Sequence, residues 1–290
     1  MKNRFVKVRL LFILVISLLL SSFAYSGGLD NANYIKIASF NIQIFGQNKI
    51  KNSEVMKIIS KIVKRYDLVA IQEVRSREEN IIPALLNYVN DANTKYDYVI
   101  SKRLGRTGSK EQYAFVYNTK TVHLIPNSSF VVKDTKDVFE REPFVASFKS
   151  GNFDFTIVDN HIKPADVEAE LKHLKAVIDN IYDSSSEKDV IVVGDMNADG
   201  SYFNENKLAI IFPEWRQMIG NTEDTTVGTA NNTYDRMMTR DTTAKVEYTG
   251  KSEAFRWDSE YGVTNYVLIK KVSDHYPVYA EFRIDLADDD

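Results

Sequence analysis

Val190-Ile191-Val192-Val193-Gly194-Asp195-Met196-Asn197 opens as an apolar, β-branched run, stops on a glycine and then presents two polar side chains. The run has the composition of a strand. If the chain stays extended, Asp195 and Asn197, two positions apart, point to one side. The same arrangement recurs along the sequence. Ile37-Ala38-Ser39-Phe40 ends on Asn41, Leu68-Val69-Ala70-Ile71-Gln72 on Glu73 and Phe153 to Asn160 on His161, while Asp274-His275 stand just before the last apolar run. Polar groups at strand ends mark where a buried core gives way to an open face. Brought together, Asn41, Glu73, Asp195, Asn197 and Asp274 would form an oxygen-rich site for a hard divalent cation.

Outward from these runs, strands are predicted at Ile35 to Ile44, Leu68 to Val74, Tyr96 to Ile100, Tyr113 to Tyr117, Phe144 to Phe148, Phe153 to His161 and Val190 to Val193. Further strands are expected at Tyr234 to Met238, Lys245 to Tyr248, Asn265 to Lys270 and Tyr279 to Ile284. Helical spacing of apolar residues marks Glu54 to Arg65, Glu78 to Asn90 and Asp166 to Tyr182. Many strands with few helices between them, and neither repeat nor linker, predict one α+β sandwich of two packed sheets flanked by helices. Strict βα alternation fails in the second half, and no G-x-G-x-x-G or Walker loop is present, which argues against a doubly wound nucleotide-binding fold.

Composition narrows the chemistry. With no Cys among 290 residues, thiolate catalysis, cysteine zinc sites and disulfides are excluded, and a metal must sit on Asp, Glu, Asn or the four His. Lys2, Arg4, Lys7 and Arg9 precede an apolar run from Leu10 to Leu20, followed by small residues ending Ala24-Tyr25-Ser26. Residues 1–26 therefore read as a secretory signal peptide cleaved before Gly27, with residues 27–290 as a single exported domain. Cleavage removes four of the 37 Lys and Arg, leaving 33 against 40 Asp and Glu, a formal charge of −7. A basic nucleic-acid-binding coat is absent, so a polyanionic partner must be met by local Arg and Lys or by a bound cation.

His161 and His275 add imidazoles beside the oxygen set, a combination suited to phosphoester hydrolysis. Each imidazole would need a carboxylate to orient it. Taken singly, every one of these residues has a structural explanation, since Asp and Asn after strands start turns and a lone His is commonly structural. His123 and His173 lack such context.

Six motifs in order resemble one family: Ala38-Ser39-Phe40-Asn41-Ile42, Ile71-Gln72-Glu73-Val74-Arg75, Arg141-Glu142-Pro143, Gly194-Asp195-Met196-Asn197-Ala198-Asp199, Tyr234-Asp235-Arg236 and Ser273-Asp274-His275-Tyr276-Pro277. They resemble the endonuclease/exonuclease/phosphatase superfamily in its deoxyribonuclease I branch, over Ile35 to Phe282. The resemblance implies a four-layered α/β sandwich with mainly antiparallel sheets and the active site at one edge. It implies Glu73 as the principal carboxylate for Mg2+ or Mn2+, with Asn41, Asp195, Asn197 and Asp274 completing the metal and phosphate site. His161 and His275 become the catalytic pair, oriented by Glu111 and Asp235 respectively. Arg75 is similar to an arginine that enters the DNA minor groove and Arg141 to one that meets phosphate, with Tyr202 as a further DNA contact. Asp224-Thr225-Thr226 resembles a structural calcium loop, and a plain Asx turn is the alternative.

Departures from the family pattern are informative. Ser109 stands where a tyrosine packs on the DNA sugar, Gln43 where an arginine is expected, and Gly200 and Asn232 where a disulfide pair is expected. Lys163, in His161-Ile162-Lys163-Pro164, puts a charge near the scissile phosphate or in solvent. The resemblance implies a bacterial secreted, metal-dependent endonuclease acting on double-stranded DNA with little sequence specificity, as a monomer without membrane association. Two alternatives stay open: a phosphodiesterase of the same fold acting on phospholipid headgroups, and a toxin or binding subunit.

Overall fold

The computed structural model describes residues 33–240 and 247–287, so the signal-peptide reading of residues 1–26 lies outside the described residues. In chain order the first half contains β1 (Tyr34–Phe45), α1 (Gln47–Ile50), α2 (Ser53–Val63), β2 (Leu68–Val74), α3 (Ile81–Val89), β3 (Tyr96–Ile100), β4 (Gln112–Asn118), β5 (His123–Leu124) and β6 (Phe130–Val131). The second half contains β7 (Phe144–Ser150), β8 (Phe153–Asp159), α4 (Val167–Ser184), β9 (Val190–Asp195), α5 (Leu208–Ile211), β10 (Arg216–Gln217), β11 (Asp235–Thr239), β12 (Tyr248–Ala254), α6 (Trp257–Glu260), α7 (Tyr266–Val272) and β13 (Val278–Arg283).

One sheet runs β12-β13-β1-β2-β4-β3 and the other β10-β11-β9-β8-β7-β5, with β6 paired to β7. Each sheet has a single parallel pair, β1 with β2 and β8 with β9, and is otherwise antiparallel. Each parallel pair needs a crossover, and α2 and α4 respectively lie in those crossovers.

The period of two decides which residues face which neighbour. Along β9, Ile191 and Val193 join the large core between the sheets, whereas Val190 and Val192 join a second core with Leu171, Leu174 and Ile178 of α4. On β7, Phe144, Ala146 and Phe148 point inward and Val145 outward. Phe115 of β4 stacks on Phe144 at 5.2 Å, so aromatic rings tie one sheet to the other. On the far side, Val55, Met56, Ile59 and Ile62 of α2 are buried in the core, and Asn52 caps that helix by accepting from Val55 N. The layers are helix, sheet, sheet, helix. Among the described residues no helix is long and apolar enough to cross a membrane.

Two expectations need correction. Asn265 to Lys270, expected as a strand, is the start of α7, because the Asn265 side chain caps it at Leu268 N and Ile269 and Val272, three apart, are the residues it buries. The strand expected at Lys245 to Tyr248 begins instead at Tyr248 and runs to Ala254, with Lys245 outside the described residues. It is a sheet edge of polar, exposed residues, which carries no hydrophobic alternation to read.

The strand ends leave the sheets through strained backbone. Gly194 has φ +137, and a Cβ there would stand 1.9 Å from the Asn160 carbonyl oxygen. Gly194→Ala is therefore expected to destabilise the protein by about 3 kcal/mol or more, through both clash and backbone strain, in urea unfolding followed by circular dichroism. An unchanged midpoint would refute this account of the glycine.

Candidate active site

The registers explain how the polar strand ends converge. Asn41 pairs in register with Gln72, and the β1–β2 ladder then slips, so that Phe45 meets Val74. The slip is made by Gln43, Ile44 and Glu73, all with positive φ of 22, 48 and 62. Ile44 N donates to Glu73 Oε2 at 2.8 Å, locking the kink. Lys49 reinforces it: its ammonium donates to the carbonyls of Ile42, Gln43 and Val272. Burial lowers the Lys49 pKa to about 8, against the raising pull of Asp274 and Glu73.

Asp195, at the end of β9, is the hub. Its Oδ2 accepts from Asn41 Nδ2 at 2.9 Å and lies 3.5 Å from His161 Nε2 and 3.6 Å from His275 Nε2. The other nitrogen of each ring meets its own carboxylate. His161 Nδ1 lies 2.7 Å from Glu111 Oε1, and His275 Nδ1 lies 2.8 Å from Asp235 Oδ2. Two imidazole–carboxylate pairs thus face each other across one aspartate. Asp235 reaches this place because it pairs directly with Asp195 in the β9–β11 ladder. His275 is set by Ser273, whose Oγ accepts from His275 N and donates to Asn41 O at 2.6 Å.

Electrostatics follow from this packing. Burial alone would lower both imidazole pKa values, but Glu111 with Asp195 raises that of His161 against burial and Arg141, and Asp235 and Asp195 push His275 up to about 10. Glu111 is held below its usual range despite its burial, because His161, Arg141 and Arg75 surround it.

Most of the residues picked out in the sequence arrive together. Glu73 Oε1 accepts only a 3.3 Å bond from Asn41, and Asp274 Oδ2 accepts 2.6 Å from Gln43 Nε2. Glu73 is buried with both oxygens engaged, by Asn41, Ile44 N and Arg75, whereas Asp274 is partly exposed, and the hard oxygens of both are of the type that suits a divalent cation. Asp195, Asp235 and His275 also cluster closely enough to hold a metal, with the 2.8 Å Asp235 Oδ2–His275 Nδ1 contact taking one atom of each of that pair. Arg75 bridges Glu73 at 3.1 Å and Glu111 at 3.3 Å.

The structure revises several placements. Asn197 does not continue extended beside Asp195: its φ is +47, its N donates to Asp195 Oδ1 and its side-chain amide donates to Ile162 O. Arg141, expected at a phosphate, is buried and donates from Nε and Nη2 to the His161 carbonyl, so it braces the histidine. Lys163 stands 2.8 Å from Asp166 in a half-exposed ion pair. Tyr202 is exposed and packs on Tyr234 at 5.3 Å, and Tyr234 in turn lies 6.4 Å from the His275 ring. Asp224 Oδ1 accepts from Thr226 N and Oγ1 in an Asx turn, and its Oδ2 lies 3.3 Å from Arg256. Arg256 already neutralises that carboxylate, so a calcium ion fits the loop only if the arginine gives way. Within the protein this loop templates His275, through a Thr226–His275 bridge and a Tyr276 N to Thr225 O bond.

Sequence reasoning missed Lys49, Ser273, Thr225 and the Tyr113 hydroxyl that accepts from His161 N. Thr225 Oγ1 accepts from Tyr234 N and Asp235 N. Most of these contacts have a backbone partner far away in the chain, which leaves no spacing to read. Gly200 and Asn232 do meet, since a Cβ on Gly200 would stand 2.6 Å from Asn232 Oδ1.

The model of the Endonuclease/Exonuclease/phosphatase family matches residues 38–275. The chain is 34% identical to deoxyribonuclease-1 of Bos taurus over 268 residues, covering 88% of this chain and 94% of that one. It is 34% identical to deoxyribonuclease gamma of Rattus norvegicus, covering 92% and 89%. Among solved structures, a humanized D. rerio TDP2 shares the fold with a TM-score of 0.61 at 14% identity, covering 87% of this chain and 100% of that chain.

By NMR, His275 is expected to titrate near pH 10, and Asp235→Asn to bring that value down by at least about one unit. Because folding raises this pKa from 6.5, the stabilisation is full below 6.5 and is lost as pH rises toward about 10. The Asp235→Asn protein should show a flatter decline of thermal stability over that window. An imidazole titrating at its ordinary value in the wild type would contradict the assignment.

Proposed function

We propose, on the premise that this chain belongs to the endonuclease/exonuclease/phosphatase family, that it is an exported, divalent-cation-dependent endonuclease hydrolysing DNA phosphodiester bonds with little sequence specificity. The observation that carries the reading is the pair of imidazole–carboxylate couples facing Asp195, beside the carboxylates of Glu73 and Asp274. The relatives named deoxyribonuclease supply the substrate class. The family name covers nucleases and phosphatases, and together with the deoxyribonuclease relatives it gives a hydrolase of phosphodiester bonds.

In this mechanism Glu73, Asn41 and Asp274 would hold the cation, Mg2+ or Mn2+, which when bound would offset negative charge on the phosphate. Asn41 and Asn197 present amides to the phosphoryl oxygens. One imidazole accepts a proton from water as its oxygen bonds to phosphorus, and the other donates a proton to the sugar oxygen as the P–O bond breaks. Glu111 and Asp235 keep the rings oriented and stabilise the protonated forms. Asp195, between the two Nε2 atoms, favours the protonated form of the imidazole that donates, while the other ring acts as base in its neutral form.

Substrate contact is assigned to the exposed rim. Tyr202 offers an aromatic face and Arg75, about a quarter exposed, a guanidinium. Such contacts position a duplex without reading bases. Calcium at the Asp224–Thr226 loop is assigned a structural role, with Arg256 giving way. Export rests on the N-terminal leader pattern, and a monomer is the working state.

A supercoiled-plasmid assay with the protein from Gly27 tests this. Nicking is expected with Mg2+ plus Ca2+ and none with EDTA, and His161→Ala or His275→Ala should lower the rate about 10²–10⁴-fold. Tyr202→Ala should raise KM for duplex DNA while sparing hydrolysis of a small chromogenic phosphodiester. Folded wild-type protein that leaves plasmid intact across divalent ions would end the DNA reading and turn attention to phospholipid headgroups.

A further inference from the structure

Beneath the site a second polar system joins the two sheets. Asp159 is the last residue of β8, two before His161, and Gln72 lies on β2, one before Glu73. Both are fully buried. Gln72 Nε2 donates to Asp159 Oδ1 at 2.6 Å and to Ser39 Oγ at 3.1 Å. Asp159 Oδ2 and Gln72 Oε1 are each buried without a hydrogen-bond partner.

An ionised carboxylate in this slot would have one neutral amide as its side-chain donor and no ion pair, an unfavourable state. The groups facing it are Gln72, the Asn160 backbone N–H, His161, Glu111 and Tyr113, and the Tyr113 hydroxyl is already engaged with His161 N. A proton on Oδ2 changes the accounting. It turns one orphan acceptor into a donor, and Gln72 Oε1, the other orphan of the same pair, becomes its acceptor.

We propose that Asp159 is a positioning residue, carried as the neutral acid in a head-to-tail pair with the Gln72 amide, and that this pair sets the span between Glu73 and His161. The inference rests on the reading of those two residues as site residues. Two hydrogen bonds between planar groups fix distance and orientation across the sheet interface, where apolar packing alone fixes mainly distance. Consistent with this, burial raises the Asp159 pKa from 3.8 to about 8, against the lowering pull of Gln72 and His161.

Asp159→Asn and Asp159→Leu test the pair. Asparagine keeps the shape, donates to Gln72 Oε1, accepts from Gln72 Nε2 and never ionises. Folding raises the wild-type pKa, so the wild type loses stability as pH climbs from 3.8 to about 8, and the Asn variant does not. The difference in Tm, Asn variant minus wild type, should therefore grow across that window and level off above it. Infrared difference spectra at pH 6 should show a carboxylic-acid carbonyl band in the wild type that Asp159→Asn removes. His161 ring resonances should stay in place in the Asn variant and move in the Leu variant, and kcat should fall at least about tenfold in the Leu variant with KM little changed. The proposal is overturned if the acid band is absent, if the Tm difference is flat with pH, or if Asp159→Asn displaces His161 as Leu does. Should the Leu variant fail to fold, the Asn variant and the infrared band decide alone. Spectra and Tm need no substrate, so they stand or fall separately from the plasmid assay.

Discussion

Everything at the catalytic edge depends on the carboxylate of Asp195 being held between two imidazoles. At 3.5 and 3.6 Å, each imidazolium attracts it by roughly 5 kcal/mol at an effective dielectric of about 20, before desolvation is charged against it. Glu111 and Asp235 add to that attraction, and the sum exceeds the cost of burial, which is why both histidines are biased toward the protonated form. The free site is therefore a compensated cluster.

Holding one aspartate at that point constrains the whole sandwich. Asn41 and Glu73 come from one sheet, Asp195 and Asp235 from the other, and the two histidines follow strand β8 and precede strand β13. The aromatic and aliphatic core between the sheets sets how far apart these ends stand. The left-handed residues Gln43, Ile44, Glu73 and Asn197 then turn the chain off the sheet rims. Strain at these residues is tolerated because side-chain and ammonium hydrogen bonds pin them on several sides.

How much of this could be read from residues alone follows from where the partners lie. Strands such as Leu68–Val74 and Val190–Asp195 were legible because β-branched runs stop on polar residues, and the same rule located Asn41, Glu73, Asp195 and His161. The run Tyr266-Val267-Leu268-Ile269 fits a strand or a buried helix by periodicity, and only the Asn265 cap and the packing side decide it. Strand β12 was misplaced because its Lys251 and Gly250 belong to an exposed edge. Arg141 and Lys49 were opaque for another reason: their partners are backbone carbonyls, His161 O for one and Val272 O for the other, and carbonyls have no sequence signature.

The meeting of Gly200 with Asn232 has a consequence of its own. The two positions touch through a glycine and an amide, in a chain with no cysteine at all. Reaching the native state thus requires no disulfide oxidase, no disulfide isomerase and no thiol balance, and the protein chain offers no disulfide for a reductant to cut. Its persistence does not depend on the thiol–disulfide balance of its surroundings.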